Sequence, residues 1–159
     1  MPVMPPQTPY SVDLGDRDPL DAMRDSLARF RSLTRWSNDD FERTYAPGKW
    51  TAREVLVHLA QSELAFGSRA RLALTTPDYQ SQAFDQNLWM DRESRLGARE
   101  ALDALLAIGA MNVALFASLV PADRAMTFTH PEYGKISIDW LIHQMAGHQI
   151  HHLLQLDAL

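Results

Sequence analysis

The fold of this chain is decided by residues 50–66, which read WTAREVLVHLAQSELAF. Thr51 and Glu54 fit the capping box, in which a threonine and a glutamate three residues later satisfy the first backbone N–H groups of a helix. Trp50 and Val55 flank the box where a hydrophobic staple would pack. The pattern predicts an amphipathic helix from Thr51 to about Leu74. Its inward face would consist of Val55, Leu56, Leu59, Ser62, Ala65 and Phe66.

Three further segments repeat apolar residues every three or four positions, as amphipathic helices do. One covers about 18–36 and begins with Asp18-Pro19, an N-cap followed by a proline at the first helical position. The others cover about 98–119 and 137–157. Four such helices with almost no strand predict an all-α four-helix bundle.

The remaining segments define the expected domain organisation. Residues 1–17 are proline-rich and are expected to form an irregular N-terminal arm, and residues 18–159 the bundle domain. Residues 75–96 lack a sustained pattern and form a long connection, apart from a possible helical turn around 84–90. Alternation within 126–137 predicts a small β-hairpin before the last helix.

Composition excludes several functional classes. The chain has 159 residues, a formal net charge of −5 and no cysteine. Without cysteine it has no disulfide, no thiolate metal site and no cysteine nucleophile. The acidic balance without basic blocks argues against nucleic acid as a partner. We find no basic, apolar leader and no apolar run of about 18 residues, so we expect a cytoplasmic protein without a membrane partner.

Histidine is the informative residue type, because four of the six histidines lie in the last predicted helix. His148 and His152 are one turn apart and about 40° apart around the helix axis, so both imidazoles can reach one divalent cation. His58 lies on the inward face of the second helix and could supply a third ligand. Three protein ligands leave coordination positions for water or substrate, as catalytic metal sites do.

Alternatives remain open at this point. The pair 148/151 has poorer geometry than 148/152, although His151 could contribute as a supporting or alternative ligand. His130 and His143 are expected in a loop and on another face. The histidines could also be core or solvated residues of a bundle that binds no metal.

The heights of the histidines along their helices favour one topology. His58 is about 10 Å from the start of its helix, whereas His148 and His152 are about 16–22 Å from the start of theirs. They meet only if these two helices are antiparallel. An up-down-down-up bundle with a crossover between the second and third helices provides this, and the connection 75–96 is long enough to make it.

Few other polar groups point to chemistry. Gln144 and Gln155 share the arc of His148 and His152, where they could orient imidazole N–H groups or simply lie at the bundle edge. Glu54 is already explained by the capping box. We find no convincing general base, no Ser-His-Asp order and no glycine-rich phosphate loop, so the catalytic residues stay unknown.

Three segments carry a resemblance to a known family. They are GKWTAREVLVHLAQSE at residues 48–63, AGHQIHHLLQL at 146–156 and HPEYGKIS at 130–137. The first resembles the second-helix signature of the DinB/YfiT-like superfamily, the second resembles its last-helix signature, and the third is similar to the segment before that helix. The resemblance covers about residues 18–157.

The resemblance implies an up-down-down-up bundle in which His58, His148 and His152 hold a divalent metal, commonly nickel or zinc. Similar proteins include transferases that use a low-molecular-weight thiol such as bacillithiol or mycothiol, and metal-dependent hydrolases. We therefore expect a metal-dependent thiol S-transferase that acts on a small electrophilic substrate. A hydrolase using metal-bound water, or a non-enzymatic metal-binding stress-response protein, is the alternative.

A homodimer is also expected, chiefly from the resemblance. Trp36, Phe84 and Trp89 lie outside the strongest helical stripes and could serve an interface.

Overall fold

The computed structural model describes residues 4–159. Four long helices dominate it, and shorter elements connect them. The α-helices are α1 Ser11–Leu14, α2 Pro19–Ser32, α3 Asn38–Phe41, α4 Ala52–Thr75, α5 Gln86–Arg92, α6 Ala98–Ser118, α7 Pro121–Arg124 and α8 Ile138–Asp157. A 3₁₀ turn covers Leu33–Arg35, and two strands, β1 Thr127–His130 and β2 Gly134–Ser137, precede α8. The all-α four-helix bundle is confirmed, with α2, α4, α6 and α8 as its long helices.

Helix starts follow the predicted capping signals. The Asp18 side chain accepts hydrogen bonds from the second and third residues of α2, and the Thr51 hydroxyl accepts one from Glu54 N. The Ser137 hydroxyl does the same for Trp140 N in α8. The predicted end of the first long helix near Trp36 is wrong by one turn. The chain tightens into the 3₁₀ turn after Ser32, and Trp36 is extended.

Contacts between α4 and α6 have the same order along both helices. Near their starts, Arg53 Nη1 donates to the carbonyl of Leu96 at 3.0 Å. In their middles, Asn112 Nδ2 donates to the carbonyl of Glu63 at 3.0 Å. The two helices are therefore parallel.

Contacts between α4 and α8 have the opposite order. The His58 ring lies 4.9 Å from that of His152, whereas Phe66, two turns later in α4, lies 5.9 Å from His148, one turn earlier in α8. These two helices are therefore antiparallel. An up-down-down-up bundle requires these directions, and the path of the crossover itself stays a prediction.

The core is divided into two clusters along the bundle. One cluster contains Phe30, Leu56, Leu102 and Leu153, which come from the four long helices. The other contains Met23, Ala70, Phe116 and Met145, again one from each long helix. Burial of these side chains supplies the main stabilising free energy of the bundle.

The predicted hairpin and the helical turn in the connection are both confirmed. β1 and β2 pair antiparallel, with His130 opposite Gly134. Gly134 has a φ of 70°, which a residue without a side chain adopts at low cost. The connection adds to this hairpin, because Thr129 N donates to the Tyr79 carbonyl and Ser81 N donates to the Thr129 carbonyl. The connection and the hairpin therefore form one wall.

The N-terminal arm lies against α8. A Cβ added at Gly147 would lie 2.6 Å from the backbone oxygen of Tyr10, so the absence of a side chain permits this close approach. Residues 11–14 of the arm form one helical turn, and Met1–Val3 lie outside the described residues. The boundary between arm and domain stays a prediction.

The sequence analysis finds no apolar run long enough to span a membrane, but α6 does have the necessary length and composition. Its mean hydropathy is 1.7 over 18 residues. In the structure it packs against α2 and α4, and its Leu102, Leu105 and Phe116 are buried in the bundle core. A third of the apolar window is buried in the bundle, and a packed bundle helix can meet the same criteria of length and composition as a membrane span. The cytoplasmic location stays a prediction.

Candidate metal centre

The structure brings together the three histidines selected by helical spacing. His58 comes from the first half of α4, and His148 and His152 come from consecutive turns of α8. All three side chains are buried. In the described part of the chain they form the single cluster of three or more histidine or carboxylate side chains close enough to share an ion.

The three Nε2 atoms converge on one point. His58 Nε2 lies 3.0 Å from His148 Nε2, which lies 3.1 Å from His152 Nε2. Two imidazole nitrogens bound to one zinc ion at about 2.0–2.1 Å are about 2.8–3.4 Å apart when the angle at the ion is ~90–110°. The spacing of these nitrogens therefore fits a shared divalent ion.

Gln155 fixes the tautomer of His152. Its side-chain oxygen lies 2.6 Å from His152 Nδ1, so that nitrogen carries the hydrogen and donates it. In the neutral ring, Nε2 then offers its lone pair to the cluster. An outer partner of this kind orients metal-binding histidines and makes them more basic. Of the two roles open to Gln155 from the sequence, the structure shows the first.

All three histidines are held in the uncharged form that can bind a metal. Burial, and next the nearby His152, lowers the pKa of His58 to about 3. Burial also lowers the pKa of His152 to about 4, against the opposing effect of the hydrogen bond that it donates to Gln155. Burial and the neighbouring imidazoles lower the pKa of His148 well below its usual value. Protonation therefore does not compete with a metal near neutral pH.

Aromatic side chains surround the cluster. The Trp50 ring lies 5.0 Å from His58, and the Phe66 ring lies 5.9 Å from His148. Tyr10 from the N-terminal arm lies 5.2 Å from His148. Apolar walls lower the local dielectric, so the charge of a bound ion acts strongly on a neighbouring ligand.

The other α8 histidines lie outside the cluster. His143 Nδ1 bonds the carbonyl of Asp139 at 2.8 Å, on a different face as the helical wheel predicts. His151 lies 3.4 Å from a carboxylate oxygen of Asp13 and packs against Tyr10 and His152. It is therefore a neighbour of the cluster and does not join the three converging nitrogens.

Two cavities meet at the cluster. One has a volume of about 410 Å³ and borders His58 and His148. The other has a volume of about 340 Å³ and borders His58 and His152, together with Trp50 and Gln155. The imidazoles can therefore be approached from two sides.

Sequence reasoning missed three residues that line the larger cavity: Tyr10, Arg69 and His130. A signal existed for Arg69, because it follows His58 by 11 residues, or three turns, and so shares its face of α4. Nothing in the sequence indicated that the arm would bring Tyr10 to the site. His130, which the sequence analysis expects in a loop, is the last residue of β1 and lies beside the cavity.

Fold and site together define the class of protein: a four-helix bundle with a buried centre of three histidines between its second and last long helices. Comparison with known proteins gives the family. The sequence profile of the DinB superfamily matches residues 20–156, and this chain belongs to that superfamily.

Relatives at the sequence level carry names that refer to metal-dependent hydrolysis. A "Putative metal-dependent hydrolase" of Oceanobacillus iheyensis is 32% identical over 124 residues, which cover 77% of this chain and 72% of that protein. A "Putative metal-dependent hydrolase" of Bacillus mycoides is 28% identical over 130 residues, which cover 81% and 75%.

Two solved structures share the fold. YfiT from Bacillus subtilis, described as "a probable metal-dependent hydrolase with an unusual four-helix bundle topology", superposes with a TM-score of 0.77 at 19% identity, covering 98% of this chain and 94% of YfiT. A mycothiol-dependent maleylpyruvate isomerase superposes with a TM-score of 0.73 at 15% identity. The superposition covers 94% of this chain and 63% of the isomerase.

Proposed function

We propose that His58, His148 and His152 hold one divalent metal ion, nickel or zinc, and that the site transfers a low-molecular-weight thiol to an electrophilic substrate. The convergence of three neutral imidazole nitrogens at 3.0 and 3.1 Å carries the metal assignment. Three imidazoles form a neutral ligand set, so a bound dication keeps its full charge for the reaction.

A divalent ion bound by the three imidazoles would lower the pKa of a coordinated thiol or water, so that a nucleophile forms near neutral pH. The residues of the chain bind and orient. His152 is held by Gln155, and the rings of Trp50, Phe66 and Tyr10 pack around the imidazoles. No protein group then has to remove the proton. Among the described residues that line the two cavities, Glu132 is the one carboxylate, and it is exposed.

The two cavities favour transfer between two molecules. One reactant can occupy the larger cavity beside His148 while the other occupies the smaller cavity beside His152. Hydrolysis needs room for one substrate and water. The fold is shared with a mycothiol-dependent enzyme.

Hydrolysis is the second candidate, because the relatives quoted above are named for it. The same three imidazoles would serve, with water in place of the thiol. The two candidates differ in which molecule approaches the ion.

A thiol panel tests the proposal. Bacillithiol, mycothiol, glutathione and cysteine are added separately to nickel- and zinc-loaded protein with a generic electrophile such as a chlorodinitrobenzene. We expect metal-dependent thioether formation with at least one thiol, and its loss in His152→Ala. In the nickel-loaded protein that thiol should produce a sulfur-to-metal charge-transfer band. Absence of the band for every thiol, together with metal-dependent ester or amide cleavage, would decide for hydrolysis.

We propose a homodimer on the basis of the family resemblance, with exposed parts of Trp36, Phe84 and Trp89 at its interface. Phe84 and Trp89 stack on each other with ring centres 4.4 Å apart, and Trp36 packs against Phe41 at 5.6 Å, so each is half-buried within its own chain. Light scattering at micromolar concentration should give about twice the 18.0 kDa of one chain. A mass near that of one chain would contradict the dimer.

A further inference from the structure

Arg69 is a buried cation without an anionic partner. It is 7% exposed, and within residues 4–159 no carboxylate oxygen lies within 4.0 Å of its guanidinium. Its group lies over the rings of Phe66 and Phe84, at 5.7 and 5.5 Å from their centres. Its Nη2 donates a hydrogen bond to the carbonyl of Gln82 at 2.6 Å. A buried charge is normally paired, so the cavity that Arg69 lines is the natural place for its counter-ion.

His130 presents a second donor to the same place. Its Nδ1 accepts hydrogen bonds from the backbone N–H groups of Glu132 and Tyr133, at 3.0 and 3.2 Å. In the neutral ring the hydrogen is therefore on Nε2. That Nε2 lies 3.5 Å from Arg69 Nη1, so two donors face each other. An oxygen atom that accepts from both would satisfy them.

The neutral state of His130 agrees with this arrangement. Burial, and next the charge of Arg69, lowers its pKa, against the opposing effect of Glu132. Glu132 is exposed, where solvent screens its charge, whereas Arg69 is buried. Arg69 is therefore the buried charge that lines the cavity.

Gln144 adds an unsatisfied polar group to the same cavity. It is 8% exposed, and its Oε1 is buried without a hydrogen-bond partner among the described residues. Its amide nitrogen carries two N–H donors that can contact an acceptor in the cavity. Gln144 precedes His148 by one turn of α8, so it lies between the imidazole cluster and the rest of the cavity.

The cavity follows one face of α4. His58, Ser62, Phe66 and Arg69 line it at intervals of four, four and three residues. Along the helix axis His58 and Arg69 are about 16 Å apart, at 1.5 Å per residue. A molecule in this cavity can therefore contact Arg69 with one end while its other end approaches the imidazoles.

We propose that Arg69 and His130 form a binding site for the carboxylate group of a reactant, with Gln144 as a further polar contact. The assignment deepens the proposed function, because it gives the chemical class of a molecule that occupies the larger cavity. The site itself consists of side chains that do not depend on a bound metal.

Metal-free protein provides the direct test, since carboxylates also coordinate metal ions. Butyrate is titrated against it and followed by calorimetry and by the ring proton signals of His130, with butyramide as the uncharged control. We expect butyrate to bind and shift these signals, and butyramide to do neither. Arg69→Met should weaken butyrate binding at least tenfold, as expected for loss of a charge-assisted hydrogen bond worth about 1.4 kcal/mol or more.

Arg71→Met is the matched control, because Arg71 lies on the same helix but bonds Asn112 outside the cavity. It should leave butyrate affinity within about twofold. His130→Ala, at a less buried position, provides a second variant and should also weaken butyrate. Unchanged affinity in folded Arg69→Met and His130→Ala would overturn the proposal. Arg69-dependent binding of inorganic phosphate tenfold tighter than butyrate would overturn it in favour of phosphate esters.

The thiol assay shows which reactant carries the carboxylate. If the thiol carries it, Arg69→Met should raise KM for cysteine and leave KM for cysteamine unchanged. If the electrophile carries it, the variant should raise KM for a carboxylated electrophile and leave that of its amide unchanged. An inactive protein that still binds butyrate through Arg69 would refute the transferase and keep the carboxylate site.

Discussion

Two histidine sites of the molecule, the three-histidine cluster and His130 beside Arg69, have opposite hydrogen-bonding character. His152 donates from Nδ1 to Gln155, so its Nε2 presents a lone pair to the cluster. His130 accepts at Nδ1 from two backbone N–H groups, so its Nε2 presents a hydrogen beside Arg69. The same side chain is suited to a cation in one place and to an anion in the other. The hydrogen-bond partner of Nδ1 determines whether Nε2 presents a lone pair or a hydrogen.

This contrast would allow the larger cavity to hold a polar reactant in one orientation. At one end of that cavity the imidazoles of the cluster would bind a metal. At the other end Arg69 and His130 would bind a carboxylate.

Acid should destabilise the metal-free protein, because the histidines of the cluster are uncharged in the folded state. The folded pKa values of His58 and His152 are about 3 and about 4, below the unfolded value of 6.5. As pH falls below 6.5, the unfolded chain binds protons that the folded chain does not, so stability falls until the folded pKa values are reached. Linkage predicts a loss of several kcal/mol between pH 7 and pH 4.

Urea unfolding of metal-free protein at several pH values measures this loss. Because carboxylates also titrate, His58→Gln is the reference, and it should have a clearly smaller loss over the same pH interval. Equal pH dependence in the two proteins would show that His58 is not held uncharged.

Removing the hydrogen bond between Gln155 and His152 should lower the metal affinity, although all three histidine ligands remain. Gln155→Leu deletes the acceptor that fixes His152, and loss of such an outer partner costs about 10- to 100-fold in metal affinity. Competition with a chromophoric chelator measures the dissociation constant. Gln155→Glu restores an acceptor and should restore affinity. If Gln155→Leu bound metal as tightly as the wild type, the tautomer of His152 would be set by something else.

A side chain at Gly147 should displace the N-terminal arm from the cluster. The new Cβ of Gly147→Ala would lie 2.6 Å from both the backbone oxygen and the Cβ of Tyr10. We expect a loss of about 1–3 kcal/mol in stability, typical of overpacking, and faster proteolysis before residue 18. Gly109→Ala is the control, because its Cβ would meet the flexible end of Leu27 in the bundle. Equal protection of the arm in both variants would refute the contact.

Glu63→Gln should leave both ends of the cavity unaltered. Glu63 is buried in a separate polar network, where Asn112 and Gln149 donate to its carboxyl group. Burial raises its pKa, so the unfolded chain loses this proton first as pH rises and stability falls above pH 4.5. The variant should gain stability relative to the wild type between pH 5 and pH 8, and its metal and butyrate affinities should not change. Loss of either affinity would connect the network to the site.

Local patterns predicted the fold well, because each long helix has its own signal. Thr51 with Glu54, and Asp18 with Pro19, define two helix starts within a few residues. The one-turn error at Trp36 came from the 3₁₀ turn, which an apolar period does not distinguish from an α-helix.

The two ends of the cavity differed in how far sequence could predict them. His148 and His152 are one helical turn apart, and His58 has a definite height on its helix, so the cluster followed from helix geometry. Arg69 and His130 are 61 positions apart and belong to a helix and a strand. Their meeting depends on the wall formed by the connection and the hairpin, and Tyr10 depends on the path of the arm. Such contacts have no local signal.

Metal content is the most direct test of the central claim that three histidines hold one divalent ion. Untagged protein is loaded with nickel or zinc, desalted and analysed for bound metal per chain, beside the single variants His58→Ala, His148→Ala, His152→Ala and His143→Ala. We expect one ion per chain in the wild type and in His143→Ala, and loss of stoichiometric metal with retained helicity in the other three. Full metal content in His58→Ala and His148→Ala, or its loss in His143→Ala, would contradict the claim.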